Sequence, residues 1–180
     1  EIDRDGKIYF MNFIHGAVNT SLKEIGKLKN IDNNNFYTGT KITFLPSKKT
    51  FQNIYFNFKT IENRLRELAF LNTGIKIILI DRRSTKETKI ELNYEGGINE
   101  YVNFLNQNKN PIHEGPIYFF ENKKNVIVEC SLQWTDSYHE NTLCFTNNIP
   151  QKDGGTHLAG LRGALTRSIV NYINQSSRNK

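Results

Sequence analysis

Residues 60–97 place one helical pattern directly before two strand-like patterns, and this order constrains the fold more than any other stretch of the chain. In residues 60–74 the apolar side chains recur three or four positions apart, which indicates an amphipathic helix. Thr60 is placed to cap the start of this helix, and Gly74 is placed to end it. The next two apolar runs, residues 75–80 and 88–94, enclose a polar turn and indicate a β-hairpin. A helix followed by an antiparallel hairpin favours an α+β domain.

The rest of the pattern extends this domain and adds a smaller sheet before it. Near the start we expect strands at residues 8–13 and 38–46 with a long polar loop between them, too few to bury a core of their own. Further elements are expected as a helix at 98–105, strands at 117–121, 126–133 and 141–147, and a closing helix. We therefore predict an incomplete region at residues 1–59 and an α+β domain at residues 60–180, whose helices cover an antiparallel or mixed sheet.

The stretch NNIPQKDGGTHLAGLR, residues 147–162, joins the last predicted strand to the closing helix. Pro150 is expected to end the strand. Gly154 and Gly155 permit backbone angles that a side chain disfavours, so the chain can turn sharply there. Thr156 is the expected N-cap of the helix that follows.

Composition limits the classes of function without choosing one. The 180 residues carry a formal net charge of +6, which permits a nucleic-acid partner, although part of the lysine content lies in Lys- and Asn-rich segments at 22–36 and 106–110. No run approaches the roughly 20 apolar residues of a membrane span. The opening residues are charged and lack the apolar segment of a secretory leader. We expect a soluble, cytoplasmic protein with no membrane partner.

No catalytic or metal-binding constellation follows from spacing alone. The four histidines lack metal-ligand spacing, and no Walker loop or paired-carboxylate motif is present, so we predict no catalytic residue and no metal ligand in this chain. Cys130 and Cys144 are expected in neighbouring strands as reduced thiols. His157 is expected at the surface or an interface. An alternative for the turn at residues 153–156 is an anion-binding turn, since backbone amides point outward at a helix N-terminus.

Several segments together resemble the ATPase region of the B subunits of bacterial DNA gyrase. They occur in the family's order and are residues 38–47 (TGTKITFLPS), 64–81 (RLRELAFLNTGIKIILID), 94–97 (YEGG) and 132–173, which includes IPQKDGGTHLAGLR. Related topoisomerase IV subunits share GGTH and the RLRELAFLN helix, but their turn before GGTH usually differs from IPQKD. The resemblance therefore favours gyrase and keeps topoisomerase IV as an alternative.

The resemblance implies the fold of both predicted regions. Residues 1–59 are similar to the C-terminal strands of a GHKL (Bergerat) ATP-binding fold. Residues 60–180 are similar to the transducer domain, whose fold resembles ribosomal protein S5 domain 2. The expected fold class is thus α+β, with the end of a GHKL fold followed by an S5-like transducer.

The resemblance also implies a nucleotide-binding role for three residues. Thr40 matches a threonine in the hydrogen-bond network under the adenine, and Ile42 matches an apolar residue lining the same pocket. A hydroxyl can donate to an acid or water there, and a residue two positions on points to the same side of a strand. Arg4 matches an arginine at the pocket rim. The alternatives are an ordinary strand threonine for Thr40 and an exposed turn arginine for Arg4.

Three cations in the second region are expected to contact DNA. Arg162 matches the family arginine that projects into the cavity between the two transducers of the dimer, where a transported DNA segment is thought to pass. A guanidinium suits phosphate because it is planar, multidentate and always charged. Arg167 and Lys152 add to the same field without reading sequence. The alternative for each is a solvated surface cation.

Some family features are missing from these 180 residues, and this shapes the functional hypothesis. We find no match for the family's upstream acid that activates water, its magnesium-holding Asn, its adenine-binding Asp or its glycine-rich lid, nor for its later Gln- and Lys-bearing loop. We therefore expect ATP and Mg²⁺ to bind the intact subunit and not this piece, which should be inactive alone. The implied partners are double-stranded DNA, the gyrase A subunit in a heterotetramer, and a second copy of the gyrase B protein on ATP binding. A different alternative is a non-enzymatic S5-like module that binds nucleic acid.

Overall fold

The computed structural model describes residues 1–28 and 38–178, and of Arg178 only the backbone. The chain forms two compact units, Glu1–Phe56 and Asn57–Lys180. The sequence places the boundary between residues 59 and 60, and the assignment of those two regions to an ATP-binding and a transducer domain stays a prediction. Within the described residues, no helix is long and apolar enough to cross a membrane.

The first unit contains a four-stranded antiparallel sheet. Its strands are β1 (Ile2–Arg4), β2 (Lys7–Ile14), β3 (Ala17–Lys27) and β4 (Gly39–Thr40), in the spatial order β3-β2-β1-β4. Two-residue turns join the first three strands, with positive φ at Asp5, Gly6, His15 and Gly16. Positive φ at both turn residues matches the right-handed twist of an antiparallel pair.

Two sequence predictions for this unit were wrong. Residues 17–27 were expected to lie in a polar loop but form β3, because the tight His15–Gly16 turn brings them back against β2. Most side chains of β3 are exposed, so the strand lacks the apolar alternation that would reveal it. The rest of that predicted loop, residues 29–37, lies outside the described residues.

The predicted strand at residues 38–46 is much shorter than expected. Only Gly39 and Thr40 pair with β1, and a backbone bond from the Lys41 N–H to the Glu1 carbonyl adds one more contact, at 2.9 Å. Strand propensity alone does not make a strand without a partner.

The second unit begins with the predicted helix, α1 (Phe58–Leu71). Its N-cap is Asn57, whose Oδ1 accepts from the Thr60 N–H at 3.0 Å, so the prediction that Thr60 is the cap was wrong by three residues. Both residues are good caps, and the position of the first helical turn decides between them. The predicted hairpin follows as β5 (Ile77–Asp81) and β6 (Thr88–Leu92), and then α2 (Gly97–Leu105).

An aromatic cluster forms the core between α1, α2 and the end of the hairpin. Phe70 of α1 is 1% exposed, and its ring stacks on Tyr94 and Tyr101 at centroid distances of 3.7 and 4.7 Å. Phe104 completes the cluster at 5.6 Å. Burial of an aromatic ring of this size contributes about 2–3 kcal/mol, with a further contribution from the ring pairing.

The remaining strands of this unit form separate hairpins. Their bounds are β7 (Ile117–Lys123), β8 (Val126–Leu132), β9 (Phe145–Thr146) and β10 (Ile149–Pro150). β8 packs on α2, where the Ser131 hydroxyl donates to Asn99 Oδ1 at 2.7 Å. Among the described residues the strands of this unit form two-stranded ribbons, not the continuous sheet that we expected.

The closing helix is α3 (Gly155–Arg178). The helix starts at Gly155, so Thr156 lies inside it and the prediction that Thr156 is the N-cap was wrong. Pro150 is the last residue of β10, as expected of a residue that ends a strand, and it pairs with Phe145 across the tight Asn147–Asn148 turn. The strand expected at residues 141–147 is shorter than predicted, since β9 covers only Phe145–Thr146.

Candidate functional site

A groove of about 440 Å³ lies where the β9–β10 hairpin meets the first turns of α3. The charged side chains that line it are the cations Lys152 and Arg162 and the anions Glu140 and Asp153. Thr142 and Cys144 line its other side. The four formal charges cancel, so the groove attracts neither sign of ligand strongly as a whole.

Backbone conformation builds this groove. The Gln151 N–H donates to the Cys144 carbonyl at 2.7 Å, and the Gly154 N–H donates to the Gln151 carbonyl at 3.0 Å. Gly154 and Gly155 then take φ values of 78° and 63°. A Cβ on Gly154 would lie 2.5 Å from Leu158 Cδ2, so both the backbone angle and the space favour glycine there. The sharp turn predicted at the two glycines is confirmed.

Among the described residues, one ion pair holds Arg162 in this groove. Its Nη2 donates to Glu140 Oε1 at 2.7 Å, and both side chains are about 60% exposed. The Thr142 hydroxyl donates to the same oxygen. These hydrogen bonds, first from Thr142 and then from Arg162, lower the pKa of Glu140 below its usual value. The contact uses one of five guanidinium donors, which leaves the others for a ligand.

The structure brings together two of the three predicted DNA-contacting residues. Lys152 is exposed and lines the same groove as Arg162. Arg167 is exposed on α3, with its Nη1 3.4 Å from the position that a Cβ on Gly163 would take. Five positions along an α-helix are about 140° apart around its axis, which explains why Arg167 does not line the groove. The DNA role of all three stays a prediction.

The predicted nucleotide-binding residues lie in the first unit. Thr40 pairs with Ile2 at the edge of the sheet and is exposed. Ile42 is 81% exposed and lies beyond the end of β4. Thr40 and Ile42 therefore do not share a paired strand, and the nucleotide-binding roles of Thr40, Ile42 and Arg4 stay predictions. Arg4 ends β1, and its Nε lies 3.8 Å from Asp5 Oδ2 on the surface.

Two features of the site escaped sequence reasoning. Glu140 reaches Arg162 from 22 positions away, and no periodicity links them. A second network fixes the β9–β10 turn to α1: Asn148 Nδ2 donates to Asn72 Oδ1 at 2.8 Å, and Arg64 Nη2 donates to the Asn148 carbonyl at 3.3 Å. Asn72 in turn donates to the Leu68 carbonyl at 2.7 Å. The groove is thus anchored to the aromatic core through the end of α1.

Among the described residues, the other chemistry-bearing side chains form no metal site. Within residues 1–28 and 38–178, no group of three or more His, Cys, Asp and Glu side chains could hold a metal ion. Cys130 and Cys144 are free thiols, half-buried, and burial raises the pKa of Cys130. His157 is exposed in the first turn of α3. His113 accepts from the Trp134 N–H at 3.0 Å, a structural contact.

Comparison with known proteins places the chain among DNA gyrase B proteins. The family model for DNA gyrase B matches residues 97–180. The chain is 46% identical to the DNA gyrase B protein of Rickettsia conorii over 178 residues, which is 98% of this chain and 21% of that protein. It is 47% identical to the gyrase B protein of Caulobacter vibrioides over 179 residues, 97% of this chain and 22% of that protein. The chain thus spans about a fifth of the length of these curated relatives.

Solved structures agree with the sequence relatives. The 43K ATPase domain of Thermus thermophilus gyrase B, in complex with an aminocoumarin, superposes with a TM-score of 0.78 at 31% identity, covering 99% of this chain and 47% of that one. The ATP-binding domain of Francisella tularensis topoisomerase IV, in complex with a small-molecule inhibitor, gives a TM-score of 0.76 at 27% identity, covering 97% and 45%. These neighbours confirm the predicted α+β fold of the GHKL-type ATPase region. The chain belongs to the DNA gyrase B family.

Proposed function

We propose that this chain couples an ATP site to the passage of double-stranded DNA within a gyrase that negatively supercoils DNA. The observation that carries the proposal is the open groove at the start of α3, where Arg162 is exposed beside Lys152. The 46% identity to a DNA gyrase B protein is the reason for proposing that the groove serves DNA passage.

The DNA role rests on the chemistry of the groove. Arg162 and Lys152 present a guanidinium and an ammonium to solvent, and phosphate is the DNA group that such cations bind without reading sequence. Arg167, on another side of α3, extends the positive field along the helix. Contacts of this kind guide a duplex and allow it to leave, as strand passage requires.

The nucleotide role rests on an exposed surface in the first unit. Ile42, Phe44 and Leu45 are 70–89% exposed, and apolar side chains this close together at such exposure mark a surface that another group covers. Thr40 adds a hydroxyl beside them, and we assign Arg4 to the rim of the same ATP pocket. In the intact subunit this surface forms one wall for ATP, with Mg²⁺ held by residues outside the 180. This piece alone binds no nucleotide and has no ATPase activity.

The partners follow from the same proposal. The intact subunit works in the cytoplasm with gyrase A as a heterotetramer, and ATP binding brings two gyrase B proteins together around the transported duplex. The groove at Arg162 then faces that duplex.

The test replaces Arg162 in the full-length subunit and assays it with its gyrase A partner. Arg162→Ala lowers DNA-stimulated ATPase activity about tenfold, the effect of losing one charge-assisted phosphate contact, and leaves ATP binding unchanged. The matched control is Arg82→Ala, since Arg82 is also exposed and ion-paired, to Glu87 at 2.7 Å, but lies in the β5–β6 turn. Equal stimulation of the Arg162 variant and the wild type contradicts the DNA role.

The net charge of +6 favours a second candidate, a non-enzymatic module that binds nucleic acid. Tight, salt-sensitive binding of DNA or RNA by the 180-residue chain alone supports the module, since the gyrase proposal gives this piece only weak phosphate contacts. Topoisomerase IV, the family of one structural neighbour, is the alternative within the same class. ATP-dependent negative supercoiling by the intact enzyme separates gyrase from it.

A further inference from the structure

We infer that Glu140 is an affinity-determining residue of the groove, which competes with DNA phosphate for the Arg162 guanidinium. The inference rests on the proposed DNA role of Arg162. It adds a residue that lowers the affinity for DNA. A lower affinity explains why a duplex can pass through the groove and leave it.

Hydrogen bonds hold the Glu140 carboxylate in a defined position. Glu140 Oε1 accepts from Arg162 Nη2 at 2.7 Å and from the Thr142 hydroxyl at the same oxygen. Thr142 thus orients the carboxylate toward α3. An oriented carboxylate competes better than a freely rotating one, because less side-chain entropy is lost when the pair forms.

The geometry also makes this pair easy to displace. The contact is a single hydrogen bond between two side chains that are about 60% exposed. A phosphate can accept two parallel N–H bonds from one guanidinium, and such bidentate pairs are stronger than single contacts. The phosphate of a duplex that enters the groove therefore displaces Glu140 from Arg162. The competition from Glu140 lowers the affinity of the groove for that duplex.

The charges on the rest of the groove support the same conclusion. Lys152 and Arg162 are matched in number by Glu140 and Asp153, so the formal charges of the groove sum to zero. Asp153 also lines the groove, but no hydrogen bond or ion pair joins its side chain to Arg162 among the contacts described for these residues. The two carboxylates therefore offer a matched comparison of the same charge with and without the contact.

The experiment measures the affinity of the full-length subunit for a linear DNA duplex at low salt by fluorescence anisotropy. Glu140→Gln raises the affinity about two- to fivefold, the range expected when one exposed ion pair no longer competes. Asp153→Asn removes the same charge and gives a smaller rise. Thr142→Val leaves the net charge unchanged and still raises the affinity, by less than Glu140→Gln, because the carboxylate loses its orientation. Thermal melts establish that each variant is folded.

A double-mutant cycle with Arg162→Gln separates this inference from the proposed function. In the Arg162→Gln background, Glu140→Gln gives no more gain than Asp153→Asn. Equal effects of Glu140→Gln and Asp153→Asn in the wild-type background overturn the inference, and so does an extra gain that persists without Arg162. If Arg162→Gln binds DNA as well as the wild type, the DNA role of Arg162 fails, and the inference fails with it.

Discussion

Two of the Arg–Glu pairs in the second unit have the same chemistry in opposite surroundings. Glu62 of α1 is 6% exposed and receives hydrogen bonds from Arg66 and Lys59, while Arg66 also donates to the Tyr94 hydroxyl. Glu140 and Arg162 form their pair in open solvent. Removing the partner of a buried charge costs several kcal/mol, whereas an exposed pair is worth at most about 1 kcal/mol. The first pair therefore fixes the core, and the second is available to a ligand.

The largest expected effect comes from the core that surrounds the buried pair. Phe70→Ala removes a ring that packs on Tyr94, Tyr101 and Phe104, and it should destabilise the unit by about 3–5 kcal/mol. Phe119→Ala, on β7 with 40% of the residue exposed, should cost about 1 kcal/mol. Urea unfolding followed by circular dichroism measures both. A similar loss at the two positions would contradict the assignment of the core.

The sequence predicted the structural features that depend on the pattern of neighbouring residues. The apolar periodicity of residues 60–74 indicated α1, and the paired runs after it indicated the β5–β6 hairpin. The two-glycine turn at 154–155 was also predictable, since few other residues take those angles. All of these features are encoded within a dozen or so neighbouring residues.

The features that sequence reasoning missed depend on residues far apart along the chain. Asn148 meets Asn72 across 76 positions and Glu140 meets Arg162 across 22, and neither distance leaves a periodic signature. β3 escaped notice because its side chains are mostly exposed, so no apolar alternation marks it. The predicted strand through Ile42 is longer than the paired strand Gly39–Thr40, because strand propensity does not show which residues find a partner strand.

The pH dependence of the free energy of unfolding should distinguish the buried Glu62 pair from an exposed pair. Hydrogen bonds from Arg66 and then from Lys59 lower the pKa of Glu62 below its usual 4.5. A lowered pKa in the folded state adds stability above pH 4.5, which is lost as the pH falls through the folded value. Glu62→Gln should cost about 2 kcal/mol at neutral pH and flatten this acid loss.

The control for Glu62 is an exposed carboxylate with one partner. Glu91 pairs with Lys76 across the β5–β6 edge, and this hydrogen bond lowers its pKa as well. Glu91→Gln should change the melting temperature less than Glu62→Gln at neutral pH and leave most of the acid loss in place. Melting temperatures recorded from neutral to acidic pH test this, and equal effects of the two variants would show that burial does not distinguish the pairs.

The smallest effect tests whether backbone conformation, instead of packing, maintains the groove around the exposed pair. Gly154→Ala forces a side chain onto a φ of 78° and toward Leu158, and it should cost about 1–2 kcal/mol. Gly160→Ala places the same methyl in open space within α3 and should stabilise the helix by about 0.5–1 kcal/mol. The two substitutions add the same atoms to nearby positions of the chain, so opposite signs in thermal melts would isolate the turn as the cause.

If Gly154→Ala also moves Lys152 relative to Arg162, DNA affinity falls without any change of charge. A stabilising Gly154→Ala would mean that the turn is not strained for a side chain and that other contacts shape the groove.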